Sequence, residues 1–292
     1  MRGRTLRRAG VPYLLLAPGL GWLLLFFLVP MAYLASQSLQ QGSIDTGYVL
    51  TWRFANYSEA FSLYWPQFAR SLAYAAVATV LALAIGYPLA YTIAFKAGRW
   101  KNLVLVAVIA PFFTSFLIRT LAWQTLLTAN GPVVRAMAAT GLLDVFRAVG
   151  LIQGEAVMGT HLSVVTGLTY NFLPFMVLPL YASLDRIDPR LLAASEDLYA
   201  TPWAGFRAVT WPLSLPGVVA GTLLTFIPAS GDYINSRLLG SPATTMIGQV
   251  IDGQFLRVLD YPTAAALSFT LMALIVVMVA VYVRRSGTEE LV

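Results

Sequence analysis

The charged residues of this 292-residue chain are bunched, and long stretches without charge run between the bunches. An uncharged apolar run of about 18 residues or more marks a segment that crosses a bilayer. In hydrocarbon a helix satisfies its own backbone, which loops and open strands cannot do. Six such segments are predicted, over 11–39, 68–95, 103–127, 157–184, 213–234 and 263–283. At about 1.5 Å per residue each can cross a core about 30 Å thick. Only 11% of residues are charged, against about 25% in soluble domains. The expected fold class is therefore an all-α membrane protein with six transmembrane helices.

Lysine and arginine set the expected orientation, because they concentrate on the cytoplasmic side. With the N-terminus inside, the inner segments hold Arg2, Arg4, Arg7, Arg8, Lys96, Arg99, Lys101, Arg186, Arg190, Arg207, Arg284 and Arg285. The outer side holds Arg53, Arg70, Arg119, Arg135, Arg147, Arg237 and Arg257. This bias predicts both termini in the cytoplasm, with a basic stretch at 1–10 and a tail at 284–292. The apolar part of the first segment exceeds the roughly 7–15 residues of a signal peptide, so it is expected to be a retained helix. Outer connections are predicted over 40–67 and 128–156, and a short amphipathic element within 240–261. A core over 68–283 then contains one long inner segment, 185–211, where a partner would bind.

Several chemistries are excluded directly. No Gly-Lys dipeptide exists, so there is no phosphate-cradling loop. No G-x-S-x-G elbow and no H-E-x-x-H pair appears. Cysteine is absent and His161 is the only histidine, which removes thiolate chemistry and most metal constellations. The net charge of +6 borders apolar segments instead of forming one patch, so nucleic acid is not the expected partner. Transport or scaffolding remains, with no enzyme activity and no cofactor in this chain.

The inner segment reads Leu191-Leu-Ala-Ala-Ser-Glu-Asp-Leu-Tyr-Ala-Thr-Pro-Trp-Ala-Gly-Phe-Arg-Ala-Val-Thr-Trp-Pro-Leu-Ser-Leu-Pro-Gly217. It resembles the "EAA" coupling loop of bacterial ABC importer permeases, which docks into the ATPase and ends in Pro-Leu-x-x-Pro-Gly. The resemblance puts the coupling contact on Ala193, Ala194, Ser195, Glu196, Asp197, Leu198, Tyr199 and Ala200. The glutamate of that motif falls at Ala193 and its glycine at Tyr199. Glu196, one turn on, offers a substitute charge. Without the resemblance, the same stretch reads as an amphipathic surface helix. Further stretches, Pro111-Phe-Phe-Thr-Ser-Phe-Leu-Ile-Arg-Thr-Leu-Ala-Trp123, Gly141-Leu-Leu-Asp144, Leu173-Pro-Phe-Met-Val-Leu-Pro-Leu-Tyr181 and Phe226-Ile-Pro-Ala-Ser-Gly-Asp-Tyr-Ile-Asn235, are similar to the B-type permease of spermidine/putrescine ABC importers. That resemblance implies a type I ABC importer permease fold with a cytoplasmic coupling helix, in a bacterial inner membrane. It also implies an ATPase dimer binding ATP and Mg, a second homologous permease, and an extracytoplasmic substrate-binding protein.

A polyamine path needs carboxylates or carbonyls for the ammonium groups and aromatic faces for cation–π contact. Polar groups inside spans are the first candidates, which selects Tyr170, Asn171, Asp232, Tyr233, Asn235 and Trp123. Pro174 and Pro228 each free a carbonyl one turn earlier, as in the broken helices of transporters. Bland readings stand beside these. Asn171 glues helices together, Tyr233 and Trp123 form an interfacial belt, Arg119 snorkels outward or pairs with Asp232, and His161 is structural. The acidic residues on the outer side are matched by arginines there, so the sequence contains no acidic funnel. Two other functions remain in view: an ABC permease for a different small solute, and an ion-coupled secondary transporter, which predicts inverted repeats.

Overall fold

The computed structural model describes residues 15–152, 154, 156–198 and 201–285, with the side chains of Glu196 and Asp197 outside the description. The expected N-terminal basic stretch, the first residues of the first span, Tyr199, Ala200 and the C-terminal tail lie outside the described residues. The chain divides into two compact units, Met1–Leu63 with Ile251–Thr270, and Tyr64–Val250 with Leu271–Val292.

In the first unit, helix α1 (Leu15–Ser38) is apolar nearly all round and its large side chains are exposed. A helix of that character suits lipid or another apolar partner better than water. Strands β1 (Gln40–Ser43) and β2 (Gly47–Leu50) form an antiparallel hairpin, with Gln40 opposite Leu50. Asn56 Nδ2 then donates to the carbonyls of Ser38 and Gln40, both at 2.9 Å, and the Ser38 and Tyr57 hydroxyls bond at 2.7 Å. These bonds clip the start of α2 (Ala55–Lys96) to the end of α1. The 40–67 connection, expected as a loop, is thus a hairpin followed by helix. Polar residues such as Asn56, Glu59 and Gln67 interrupt the apolar run there without interrupting the helix. A kink at Tyr64 (φ −109°, ψ 15°) lies two residues before Pro66, whose ring cannot accept the normal helical geometry behind it.

In the second unit, the third span is not the single rod expected over 103–127. It consists of α3 (Gly98–Phe113) and α4 (Phe116–Leu126), bent by 93° at Thr114 and Ser115. Pro111 tightens the end of α3 into a 3₁₀ turn, and Thr114 and Ser115 are extended, with ψ of 155° and 137°. The Thr114 hydroxyl donates back to the Pro111 carbonyl, a local bond that competes with helix propagation. Two short helices, α5 (Pro132–Ala139) and α6 (Leu142–Ala148), fold the outer connection around Leu127, Val134, Leu143, Ile152 and Val157.

Helices α7 (His161–Leu184) and α9 (Pro202–Ser230) form the principal packed pair, and α8 (Pro189–Leu198) lies between them in sequence. Close approach depends on small residues. A Cβ at Gly221 would stand 2.8 Å from Met176 Sδ and 3.1 Å from its carbonyl oxygen. Both helices continue through their prolines (174, 179, 216 and 228), so the breaks expected beside Pro174 and Pro228 do not occur. One lost N–H per proline leaves the rest of each ladder intact, and neighbouring groups can satisfy the freed carbonyls.

Helix α9 ends at Ser230 and α10 (Ile234–Leu239) follows. The outer element α11 (Ile247–Gly253) begins with the Ile247 N–H donating to Ser71 Oγ at 2.7 Å. Just before it, Arg70 Nη1 donates to the Thr245 carbonyl at 2.9 Å. The final helix α12 (Tyr261–Arg285) is capped by Asp260, which accepts from the Thr263 N–H at 3.2 Å. Among the described residues five helices are long and apolar enough to cross a membrane, and six segments are when the bent pair counts as one.

Candidate functional site

Helices α4, α7 and α10 meet around a buried polar group that no single stretch of sequence displays. Asn171 Nδ2 donates to Thr120 Oγ1 at 3.1 Å and to Asn235 Oδ1 at 3.0 Å, and Thr120 Oγ1 donates to the Phe116 carbonyl at 3.0 Å. All three side chains are buried, where each bond matters because the alternative is an unsatisfied group. Gly167, one turn before Asn171, makes the approach possible. A Cβ there would lie 2.7 Å from Asn235 Oδ1 and 2.4 Å from Leu239 Cδ1. Asn171 and Asn235 therefore join three helices.

Asp232, expected near the outer end of the fifth span, lies in the turn just after α9. Its Oδ1 accepts from the Asn235 N–H at 2.8 Å, the geometry of a carboxylate capping α10. Only 8% of the residue is exposed. Tyr233 beside it is 41% exposed. Arg119 is not the partner of Asp232: the two form no ion pair, and the Asp232 carboxylate is taken up by the backbone of α10.

Arg119 does not snorkel outward either. Its guanidinium carbon sits 4.1 Å above the ring of Phe112 and 5.7 Å from that of Phe116. Nε and Nη1 are enclosed and make no hydrogen bond. Tyr170 stacks on Phe112 with centroids 6.1 Å apart, and Trp123 meets Tyr170 edge-on at 5.3 Å. Phe112, Phe116, Arg119, Trp123 and Tyr170 thus form one aromatic cluster occupied by a cation. His161 is tied down instead of free, with Nδ1 hydrogen-bonded to the Tyr74 hydroxyl.

At the inner end, Asp188 Oδ1 accepts from the Arg190 N–H at 2.8 Å and starts α8. Ser195 is buried and faces Gly205, where a Cβ would reach its Oγ at 3.0 Å. Ala193, Ala194, Leu191 and Leu198 are exposed, and so is Trp203, which stacks on Phe206 at 5.3 Å. Of the small residues expected to permit close approach, Ser195 does so within this chain, while Ala193 and Ala194 present an open surface. A cleft of about 430 Å³ borders the segment, lined by Tyr91, Phe95, Lys96, Leu192, Ser195 and Phe206 among others. Lys101 pairs with Asp185 close by and lies 5.4 Å from the Tyr181 ring.

Sequence reasoning missed Thr120, Gly167 and Phe112. The first had a signal, since Phe116, Thr120 and Trp123 recur at helical spacing on one face of α4. The capping geometry separates two roles for Asp232. Asparagine caps helices nearly as well as aspartate, whereas alanine loses about 1 kcal/mol. Asp232→Asn is expected to keep the thermal stability of the purified chain, and Asp232→Ala to lower it. A drop in transport by Asp232→Asn at unchanged stability assigns the charge to the pathway, and unchanged transport removes it from there.

No protein-family model matches the chain. It is 32% identical over 264 residues to the spermidine/putrescine transport system permease protein PotB of Haemophilus influenzae, covering 90% of both chains. It is 34% identical over 267 residues to the protein of the same name from Escherichia coli K12, covering 91% of this chain and 94% of that one. Among solved structures, a bacterial alginate ABC transporter in complex with an alginate pentasaccharide-bound periplasmic protein superposes with a TM-score of 0.70. That match has 19% identity and covers 97% of this chain and 96% of the other.

Proposed function

This chain belongs to the PotB family of spermidine/putrescine transport permeases, and from that premise we propose that it forms the membrane pathway of an ATP-driven importer for polyamines. It is a transport subunit and not an enzyme. The observation that carries the substrate class is the likeness to two polyamine permeases along nine-tenths of the chain. The aromatic cluster supports it, since it already holds a cation of the kind a polyamine ammonium group resembles. The fold alone does not select the solute, because the alginate transporter has the same fold.

In this reading Tyr170 and Trp123 offer aromatic faces to the passing ammonium groups, and Asp232 with the exposed Tyr233 lies at the outer mouth. Asn171 and Asn235 hold α4, α7 and α10 together around the path. The exposed residues of α8, with Ala193, Ala194 and Leu198, are the surface for an ATPase, and Glu196 and Asp197 belong to the same helix. ATP and Mg are then bound by that partner dimer. A second permease completes the pathway, and an extracytoplasmic protein delivers the substrate, as a periplasmic protein accompanies the alginate transporter. The chain is an inner-membrane permease, and the bias of lysine and arginine supports cytoplasmic termini. ATP-driven uptake of labelled spermidine by the assembled importer in proteoliposomes tests the proposal.

A further inference from the structure

The Arg119 guanidinium is partly enclosed, with too little to hold it. Nε and Nη1 have lost solvent without gaining an acceptor, and among the described residues the side chain has no carboxylate partner. Its attractive contacts are the faces of Phe112 at 4.1 Å and Phe116 at 5.7 Å. Such contacts are modest, while an unmade hydrogen bond at a charged nitrogen costs a comparable amount or more. The arginine is therefore seated but not locked.

Its seat also straddles the bend in the third span. Phe112 precedes Thr114 and Ser115, and Phe116 and Arg119 follow them. Phe116 moves with Arg119 on α4, but Phe112 belongs to α3. A change in the 93° bend that carries α4 away from Phe112 would separate the guanidinium from that ring and open its face, with Tyr170 stacked beside it, to another cation. While Arg119 is in place, the ring is occupied and the fixed positive charge repels an arriving ammonium group.

We infer that Arg119 is a resident stand-in for the substrate's ammonium group, closing the aromatic site until a polyamine displaces it. The inference rests on the polyamine reading above. It makes Arg119 a positioned gate whose charge, more than its size, keeps the resting pathway tight to cations. Arginine in a cation pathway is otherwise hard to account for, since like charges raise the barrier to passage.

The test uses the importer assembled with its partner permease and ATPase in proteoliposomes preloaded with labelled putrescine, without ATP. Arg119→Met is expected to raise putrescine efflux about tenfold, which corresponds to about 1.4 kcal/mol of barrier. Arg119→Lys is expected to stay as tight as wild type, and efflux of a neutral solute, glycerol, to stay unchanged in both. Efflux from Arg119→Met at the wild-type level overturns the inference. So does an equal rise with Arg119→Lys, or a parallel rise for glycerol, because each removes the role of charge. If Arg119→Met does not assemble, Phe112→Leu decides: loss of the ring is expected to raise putrescine efflux and leave glycerol efflux alone, and no rise overturns the proposal. A wild-type importer that moves no polyamine with ATP sinks the functional reading itself, whereas ATP-driven uptake with charge-insensitive efflux sinks only the gate.

Discussion

Replacing Ala193 by arginine is expected to reduce ATP-driven uptake by about tenfold or more, with the amount of the chain in the membrane unchanged. Ala193 is exposed on α8, next to exposed Ala194 and in a helix whose buried Ser195 already rests on Gly205. The position is open, so a longer side chain there projects from the surface of α8. In the proposed assembly it meets the partner surface, where a helix of small residues permits a close approach and a loss of about 1.4 kcal/mol in docking is a factor of ten in occupancy. Co-purification of the ATPase with the variant measures this: it is expected to fall with uptake. Full uptake and full co-purification would place the docking surface elsewhere, with exposed Trp203 as the next face to probe.

The second large effect lies in the packed pair. Gly221→Leu is expected to prevent the chain from accumulating in folded form. The first atom of the new side chain would lie 2.8 Å from Met176 Sδ, 3.1 Å from the Met176 carbonyl oxygen and 3.3 Å from its Cα. The methionine tip can turn away, but the backbone of α7 cannot. Forcing packed helices apart costs about 1–3 kcal/mol for an added methylene or two and more for a branched side chain. The loss also propagates, because Met176 belongs to the buried cluster that ties α7 to α2 and α9 through Ala90, Ile93, Leu180 and Val218. The control is Gly19→Leu in α1, where a Cβ meets nothing within 4 Å. Detergent-extracted yield and Tm of the isolated chain separate the two variants: the first is expected to lose most of its folded yield and the second to keep it. Equal yields would contradict the close packing of α7 against α9.

The long apolar helices were readable because a bilayer imposes one requirement on every residue in a window. What escaped was structure with mixed composition. The start of α2 at Ala55 is polar enough to resemble a loop, yet Asn56 and Tyr57 use that polarity to bind the end of α1. Helix α9 begins at Pro202, well before the apolar run, because the Thr201 hydroxyl caps it by accepting from the Ala204 N–H at 3.3 Å. The bend at Thr114 and Ser115 falls within an uncharged stretch, where hydropathy cannot distinguish one rod from two.

The candidate site was legible as residue types and not as partners. Asn171 and Asn235 were chosen separately as polar groups in spans, and only the fold brings them to 3.0 Å. Gly167, which permits that contact, carries no chemistry of its own to attract notice in a sequence. Charge logic offers Arg119 only an outward snorkel or a carboxylate such as Asp232, because the ring of Phe112, seven residues back across a bend, is not a neighbour on a straight helix. Tyr199 and Ala200, in the stretch that resembles a coupling loop, lie outside the described residues.

The most direct test of the central claim is transport itself. This chain, assembled with its partner permease, ATPase and binding protein in proteoliposomes, should accumulate labelled spermidine when ATP is supplied to the ATPase side. Excess unlabelled putrescine should compete, and a proton or sodium gradient without ATP should drive nothing. Gradient-driven uptake by this chain alone, or ATP-driven uptake of another solute with spermidine ignored, would contradict the account.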